Sequence, residues 1–202
     1  PMGTHVPGYK IVAALKDLPE GCLFILDEAY SEFAPDSSLP NLEITDMRVV
    51  RLRTFSKAYG MAGARVGYAM AEENLIKSFE KIRNHFGMSR LAQKAAFEAL
   101  SDNQWLLEMV QKVEHGRQRI YKIAANNNLK YISSSTNFVA IDCEQDGRFA
   151  KKVLIELISL GIFVRMPFVS PQDRCIRVSV GKKRDLDKFE EALPTALKRA
   201  SR

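Results

Sequence analysis

The chain has 202 residues, of which 46% are hydrophobic and 27% are charged, as in an ordinary globular protein. This composition excludes a disordered or collagen-like chain, and no apolar run reaches the length of a membrane-spanning helix. Lysine and arginine exceed aspartate and glutamate by 30 − 24 = 6 charges. Because these charges are spread along the chain, they are weak support for nucleic-acid binding. The sequence therefore predicts neither a nucleic acid nor a membrane as a partner.

Three cysteines lie in apolar runs that are typical of strands: Cys22, Cys143 and Cys175. Their number is odd, and none of the three histidines has metal-ligand spacing with a cysteine. We therefore predict buried thiols in a reducing, cytoplasmic compartment, with no disulfide framework and no metal site.

The amino-terminal part predicts one helix and three strands. Helical spacing of apolar residues covers 6–18 and ends at the Pro-Glu-Gly turn that follows. Strands are expected over 22–26, 47–52 and 66–71. The first of them is a continuous apolar run, which is typical of a strand buried on both faces of a parallel sheet.

The remainder of the chain first becomes helical and then mixed. A long helix over 103–126 is expected to connect an α/β layer, residues 1–110, to a small α+β domain, residues 111–202. Pro194 is expected to kink or restart the last helix. The other helices are predicted over 72–83, 89–100, 149–160 and 183–197, and the other strands over 137–143, 162–165 and 175–180.

Polar residues follow the first two strands, where the carboxyl ends of parallel strands form ligand sites. Lys57 follows the second strand, and a lysine amine at such a position can act as a nucleophile toward carbonyl groups. Asp27 could hold a cation such as a protonated ring nitrogen. An anion could bind to the hydroxyl groups and the guanidinium nearby. A lysine, an aspartate and a phosphate site are what pyridoxal phosphate requires.

These segments resemble the fold-type I pyridoxal-phosphate aminotransferases of classes I and II, and within them the histidinol-phosphate aminotransferases. The resemblance starts with Asp27–Tyr30, Thr54–Lys57 and Arg65 and extends over nearly all 202 residues. The carboxyl-terminal segments that carry it are Thr136–Phe138, Gly161–Arg165 and Ile176–Gly181.

The resemblance implies a role for each matching residue. Lys57 would form a Schiff base with the cofactor and transfer the proton during catalysis. Asp27 would pair with the pyridine nitrogen, and Tyr30 would donate to the phenolate oxygen. Arg177 would bind a substrate carboxylate, and Arg165 a distal acidic group. The cofactor phosphate would be held by Thr54, Ser56 and Arg65.

The resemblance also implies a fold of class α/β: part of a mostly parallel, three-layer large domain in residues 1–110, then the small α+β domain. Pro1–Gly3 matches the end of a family turn whose earlier residues lie outside the sequence. We therefore expect a carboxyl-terminal portion with an incomplete site and weak or no cofactor affinity. We also expect a homodimer or another oligomer, or a second polypeptide beside it. The carboxyl-terminal unit is expected to be the better ordered half.

Three functions remain open at this stage. The first is transamination between an amino acid and a 2-oxo acid, with histidinol phosphate and 2-oxoglutarate as candidate substrates. The second is a decarboxylase or lyase reaction on the same scaffold, as in threonine-phosphate decarboxylases. The third is a folded module without catalysis.

Overall fold

The structure, a computed structural model, describes residues 2–202. The chain divides into two compact units. The first unit is His5–Val110, and the second unit is Gln111–Arg202 together with residues 2–4. The sequence division placed residues 2–4 in the first part, but the Gly3 carbonyl accepts a hydrogen bond from Ser135 N–H at 2.8 Å. This short segment therefore lies with the second unit.

The first unit contains the predicted helix and three strands, with ends shifted by at most two residues. Strand β1 begins two residues later than predicted, and strand β2 is displaced by two residues toward the carboxyl terminus. The elements are α1 (Gly8–Lys16), β1 (Phe24–Asp27), β2 (Val49–Thr54), β3 (Gly67–Ala71), α2 (Glu73–Glu80) and α3 (Arg90–Ser101), and α4 (Asn103–Asn126) begins in this unit.

The three strands form one sheet in chain order. β1 pairs with β2 in parallel, with Asp27 opposite Leu52. β2 pairs with β3 antiparallel, with Thr54 opposite Gly67. A Cβ atom on Gly67 would lie 2.7 Å from the Arg53 carbonyl oxygen, so the close pairing requires glycine. One end of the sheet, called the sheet edge below, therefore contains the carboxyl ends of β1 and β2 and the start of β3.

Two expectations for the β1 region are wrong. Cys22 is exposed, because β1 begins only at Phe24 and Cys22 belongs to the turn at Gly21, whose φ is 78°. The strand is also not buried on both faces, since Ile25 is 64% exposed. Burial alternates along β1, with Ile25 and Asp27 exposed and Phe24 and Leu26 half-buried, so one face of the strand is open.

The second unit packs helices on an antiparallel sheet in the order β4-β5-β6. Strand β4 is absent from the sequence prediction, because a three-residue Lys-Tyr-Ile segment is too short to show a period. The predicted strand 162–165 is wrong: Arg165 forms only a single bridge with Arg177. The elements are β4 (Lys130–Ile132), β5 (Phe138–Asp142), α5 (Gly147–Ser159), β6 (Cys175–Ser179) and α6 (Lys183–Ala200).

Helix α6 continues through Pro194, which corrects the expected restart, while the expected kink stays a prediction. A proline inside a helix costs about 3 kcal/mol. The cost is offset because one face of the helix is buried in the core, with Phe189, Leu193 and Ala196 each at most 2% exposed. Packing therefore outweighs the lost hydrogen bond.

The core of the second unit lies between the sheet and helices α4, α5 and α6. Cys143 and Cys175 are buried, as predicted. Burial raises the pKa of the Cys143 thiol to about 12, so this thiol stays protonated at neutral pH. None of the helices in residues 2–202 combines the length and the apolar character needed to cross a membrane.

Candidate active site

The site begins with the aspartate that ends β1. Asp27 has an exposed side chain. Its Oδ1 accepts a hydrogen bond from Ala29 N–H at 2.9 Å. This local bond fixes the orientation of the carboxylate at the edge of the sheet and leaves Oδ2 to a cationic partner.

The second part of the site is the turn after β2. Thr54 Oγ1 accepts a hydrogen bond from Ser56 N–H at 3.1 Å. Phe55 is 2% exposed and anchors the turn in the small core of the first unit. The Phe55 carbonyl also accepts from Met61 N–H at 2.9 Å. Because Phe55 points into the core, the turn presents Ser56 and Lys57 as half-buried side chains.

Lys57 lies beside the aromatic ring that follows β1. Its Nζ is 5.1 Å from the centre of the Tyr30 ring, within the range of a cation–π contact. Tyr30 precedes the short 3₁₀ turn Ser31–Phe33, whose Phe33 is buried. The structure thus brings two predicted site residues from different segments into contact.

Arg65, the last of the predicted site residues at the sheet edge, lies two residues before β3 begins. It has a φ of 52°, in the left-handed region that favours glycine. Its side chain is exposed, and Nη1 donates to the Ala62 carbonyl at 2.7 Å. The guanidinium has further N–H groups with which to bind an anion.

The opposite face of the sheet carries a buried charge cluster. The Glu28 side chain is only 5% exposed and pairs with Arg51 at 2.6 Å and with Arg53 at 3.0 Å. The two partners of Glu28 were not identified from the sequence. The signal was present, since two arginines at alternate positions of an apolar strand predict one charged face.

A second acid lies near this cluster. Burial raises the pKa of Glu32 above its usual value, and the charge of Arg53 acts in the opposite direction. Burial likewise raises the pKa of Tyr59. Tyr59 packs beside Phe55, with ring centres 4.9 Å apart. The charge of Glu32 also acts on Tyr59, which lies two residues after Lys57.

The two predicted substrate arginines lie in the second unit. Arg165 N–H donates to the Arg177 carbonyl at 3.1 Å, and Arg177 N–H donates to the Arg165 carbonyl at 2.6 Å. The Arg177 guanidinium carbon lies 3.9 Å from the centre of the Phe138 ring. Phe138 is buried, so this stacking holds the guanidinium against a fixed surface. The Arg165 side chain is exposed.

Within residues 2–202, no cluster of histidine, cysteine, aspartate and glutamate could hold a metal ion. The donor set at the sheet edge instead consists of one amine, one carboxylate, a phenol, two hydroxyl groups and one guanidinium. These groups suit an organic ligand that carries a phosphate, a carbonyl group and a basic ring nitrogen.

Comparison with known proteins agrees with this chemistry. A model of the family "Aminotransferase class I and II" matches residues 1–193. The chain is 37% identical over 202 residues to a histidinol-phosphate aminotransferase of Geobacillus sp. (strain WCH70), covering 98% of this chain and 54% of the relative. A second histidinol-phosphate aminotransferase, from Bacillus licheniformis, is 38% identical over 197 residues, covering 96% of this chain and 54% of the relative. The chain thus spans about half the length of the curated relatives it matches.

Solved structures show the same relationship. The crystal structure of histidinol-phosphate aminotransferase from Sinorhizobium meliloti, in complex with pyridoxal-5'-phosphate, superposes with a TM-score of 0.96 at 46% identity, covering 98% of this chain and 55% of that chain. An L-threonine-O-3-phosphate decarboxylase from Porphyromonas gingivalis has a TM-score of 0.78 at 21% identity, covering 98% of this chain and 62% of that chain. The second similarity shows the shared fold alone.

Proposed function

This chain belongs to the class I and II aminotransferase family, and from that premise we propose that the complete protein is a pyridoxal-phosphate-dependent aminotransferase. We propose histidinol phosphate as its amino donor and 2-oxoglutarate as its acceptor. The named relatives at 37% and 38% identity support this choice of donor. Because the chain spans about half of those relatives, the activity is proposed for the complete protein.

The residues at the sheet edge fit this cofactor. Asp27 offers a carboxylate oxygen that is not used by Ala29 N–H, and such an oxygen matches a protonated ring nitrogen. Tyr30 lies beside Lys57 and could donate to the phenolate oxygen. The close approach at Gly67 keeps this part of the edge free of a side chain. Hydroxyl and guanidinium donors for a phosphate come from Thr54, Ser56 and Arg65.

Pyridoxal phosphate, when bound, supplies a carbonyl group that reacts with amines and a ring that withdraws electrons. Lys57 would hold the cofactor through Nζ, and its amine would move the proton at the substrate α-carbon. Asp27 would keep the ring nitrogen protonated through its carboxylate charge. The single observation that carries the proposal is the approach of Lys57 to Tyr30, at the edge where Asp27 ends β1.

Substrate binding is assigned to the second unit. Arg177 would bind the substrate carboxylate, because a guanidinium can donate hydrogen bonds to both carboxylate oxygens. Stacking on the Phe138 ring holds this guanidinium in place. Arg165 would contact the distal acidic group. We further propose that residues 1–110 form part of the large cofactor-binding domain and that residues 111–202 form the small domain. A cytoplasmic homodimer acting on small molecules completes the proposal.

The test is chemical labelling of the complete protein. Pyridoxal phosphate is added, the protein is reduced with borohydride, and the modified peptide is mapped. The label is expected on Lys57. The Lys57→Ala variant should lose turnover of histidinol phosphate with 2-oxoglutarate, measured as glutamate, while its melting temperature is unchanged.

Lys122→Ala is the matched control, because Lys122 is exposed on α4 of the second unit. This variant should keep both label and turnover. A label on another lysine would refute the assignment. Release of carbon dioxide from an amino acid substrate, without glutamate formation, would favour the decarboxylase alternative. A protein that takes up no label would be a folded module without catalysis.

A further inference from the structure

A buried carboxylate that the proposed reaction does not use lies directly beside Asp27. Glu28 is 7% exposed, although a lone carboxylate strongly prefers water. Arg51 Nε lies 3.1 Å from both carboxylate oxygens, and its Nη2 lies 2.6 Å from Oε1. Arg53 Nε donates to Oε2 at 3.0 Å. Both oxygens are occupied by guanidinium groups, so Glu28 is not placed to exchange protons with a substrate.

The main chain of Glu28 is held as firmly as its side chain. Its N–H donates to the Leu52 carbonyl of β2 at 2.9 Å, and its carbonyl accepts from Ser31 N–H at 3.0 Å. Both sets of bonds connect the turn after β1 to its neighbours. The first anchors the turn on β2, and the second starts the 3₁₀ turn that follows Tyr30.

The peptide unit between Glu28 and Ala29 transmits this anchoring to Asp27. A peptide unit is planar and rigid. One end of this unit is the Glu28 carbonyl, which Ser31 binds, and the other is the Ala29 N–H, which donates to Asp27 Oδ1 at 2.9 Å. Fixing Glu28 therefore fixes the group that orients the Asp27 carboxylate.

The two acids lie on opposite faces of the sheet, since side chains alternate along a strand. Asp27 shares a face with Leu52, its partner in register. Glu28 reaches the face of Arg51 and Arg53 instead. The charge cluster can therefore hold the turn without entering the space that the cofactor needs.

Resting on the proposed function, we propose that Glu28 is a positioning residue. Clamped by Arg51 and Arg53, it holds Asp27 toward the cofactor ring nitrogen and Tyr30 beside Lys57. Loss of the clamp allows the Asp27 carboxylate to turn away, and the ring nitrogen then loses its proton more easily. A displacement of this kind lowers the rate even though the acid itself remains, because misplacement by about 1 Å can cost about 100-fold.

The experiment compares the complete protein with its Glu28→Gln variant, both loaded with pyridoxal phosphate labelled with ¹⁵N in the ring. The ¹⁵N chemical shift reports whether the ring nitrogen is protonated. In the unchanged protein it should be protonated at pH 8. In Glu28→Gln it should be partly deprotonated at that pH, and kcat should fall about 10-fold to 100-fold.

Asp142→Asn is the matched control, because Asp142 accepts from Arg174 at 2.7 Å at a strand end of the second unit. It should lower the melting temperature and leave the ring nitrogen protonated. Should Glu28→Gln fail to fold, Arg53→Met serves instead, since it keeps the Arg51 pair; it should give a smaller change of the ¹⁵N shift in the same direction.

Two failures are distinguishable. If the unchanged protein takes no label on Lys57, the proposed function fails and this inference with it. If Lys57 is labelled but the ring nitrogen stays protonated in Glu28→Gln and Arg53→Met, only the positioning role is overturned. A lower melting temperature alone would mark Glu28 as structural and would likewise overturn the role.

Discussion

Each of the two units is stabilised internally in a different way. The second unit has a continuous apolar core, in which Ile141, Leu157 and Leu193 are completely buried. The first unit has a small core around Phe55 and Val66. Large apolar side chains remain exposed there: Phe86 at 96%, Ile82 at 83%, Leu91 at 81%, Phe97 at 65% and Ile25 at 64%. The predicted cofactor residues lie in the unit with the smaller core.

This difference shows which interactions fix the main chain around the candidate site. Around Asp27 and Lys57, the main chain is fixed by directed polar contacts: the guanidinium clamp on Glu28 and the hydrogen bonds of the turn after β2. In the second unit, apolar packing fixes the main chain instead. Substitutions in the apolar core of the second unit should therefore mainly change stability, and substitutions at the sheet edge should mainly change the reaction.

The largest stability loss is expected from Leu193→Ala in α6. Leu193 is completely buried, and truncating a buried leucine costs about 2 to 5 kcal/mol. Chemical denaturation of the complete protein should show this loss. The ring-nitrogen ¹⁵N shift should stay unchanged in the protein that remains folded, and a changed shift would contradict the separation of roles.

Asp27→Asn should have the opposite profile. The side chain is exposed, so the free energy of unfolding should change little. Losing the charge that holds the ring proton should slow turnover about 10²- to 10³-fold, or about 3 to 4 kcal/mol. Steady-state kinetics and thermal melting of the same samples check both halves. Near-normal turnover would refute the assigned role.

Pro194→Ala should stabilise the protein by about 1 to 3 kcal/mol. Position 194 lies inside α6 and is exposed, so alanine restores a helix hydrogen bond without disturbing the core. Differential scanning calorimetry gives the change in melting temperature. No gain would mean that the helix has adapted its backbone to the proline.

Glu32→Gln should give the smallest of these four effects, and one that depends on pH. Burial raises the pKa of Glu32 above its ordinary 4.5. A raised pKa in the folded state means that the stability contribution of Glu32 is present below pH 4.5 and is lost as pH rises through the folded value. The variant should therefore melt higher than the unchanged protein at pH 8, and the two should converge near pH 4. A difference independent of pH would contradict the burial argument.

Much of the fold follows from the sequence where local signals are strong. The predicted bounds of α4 are confirmed at both ends: residue 102 precedes the helix, and Asn126 is its last residue. The predicted strand at 162–165 was wrong because three apolar residues and an arginine beside a glycine fit a strand and an extended loop equally well. Single bridges such as Arg165 with Arg177 depend on contacts that periodicity does not encode.

The residues of the candidate site likewise fall into those that local sequence signals identify and those that they do not. Lys57 and Asp27 were identifiable because their residue types and positions after strands point to a known chemistry. Arg51 and Arg53 were missed, because their role depends on Glu28, more than 20 positions earlier in the chain. The alternate arginines of β2 indicate a charged face, but pairing between strands brings Glu28 to them, and no local pattern shows which residue lies opposite. Whether the cofactor roles hold stays a prediction.

Arg65 shows what a redesign of this protein would sacrifice. Its backbone lies at a φ of 52°, where a non-glycine residue costs about 1 to 2 kcal/mol. A thermostability screen that scored folding alone would therefore select glycine at this position. The more robust chain would have given up the guanidinium proposed to hold the cofactor phosphate, so such a screen needs a cofactor-retention step.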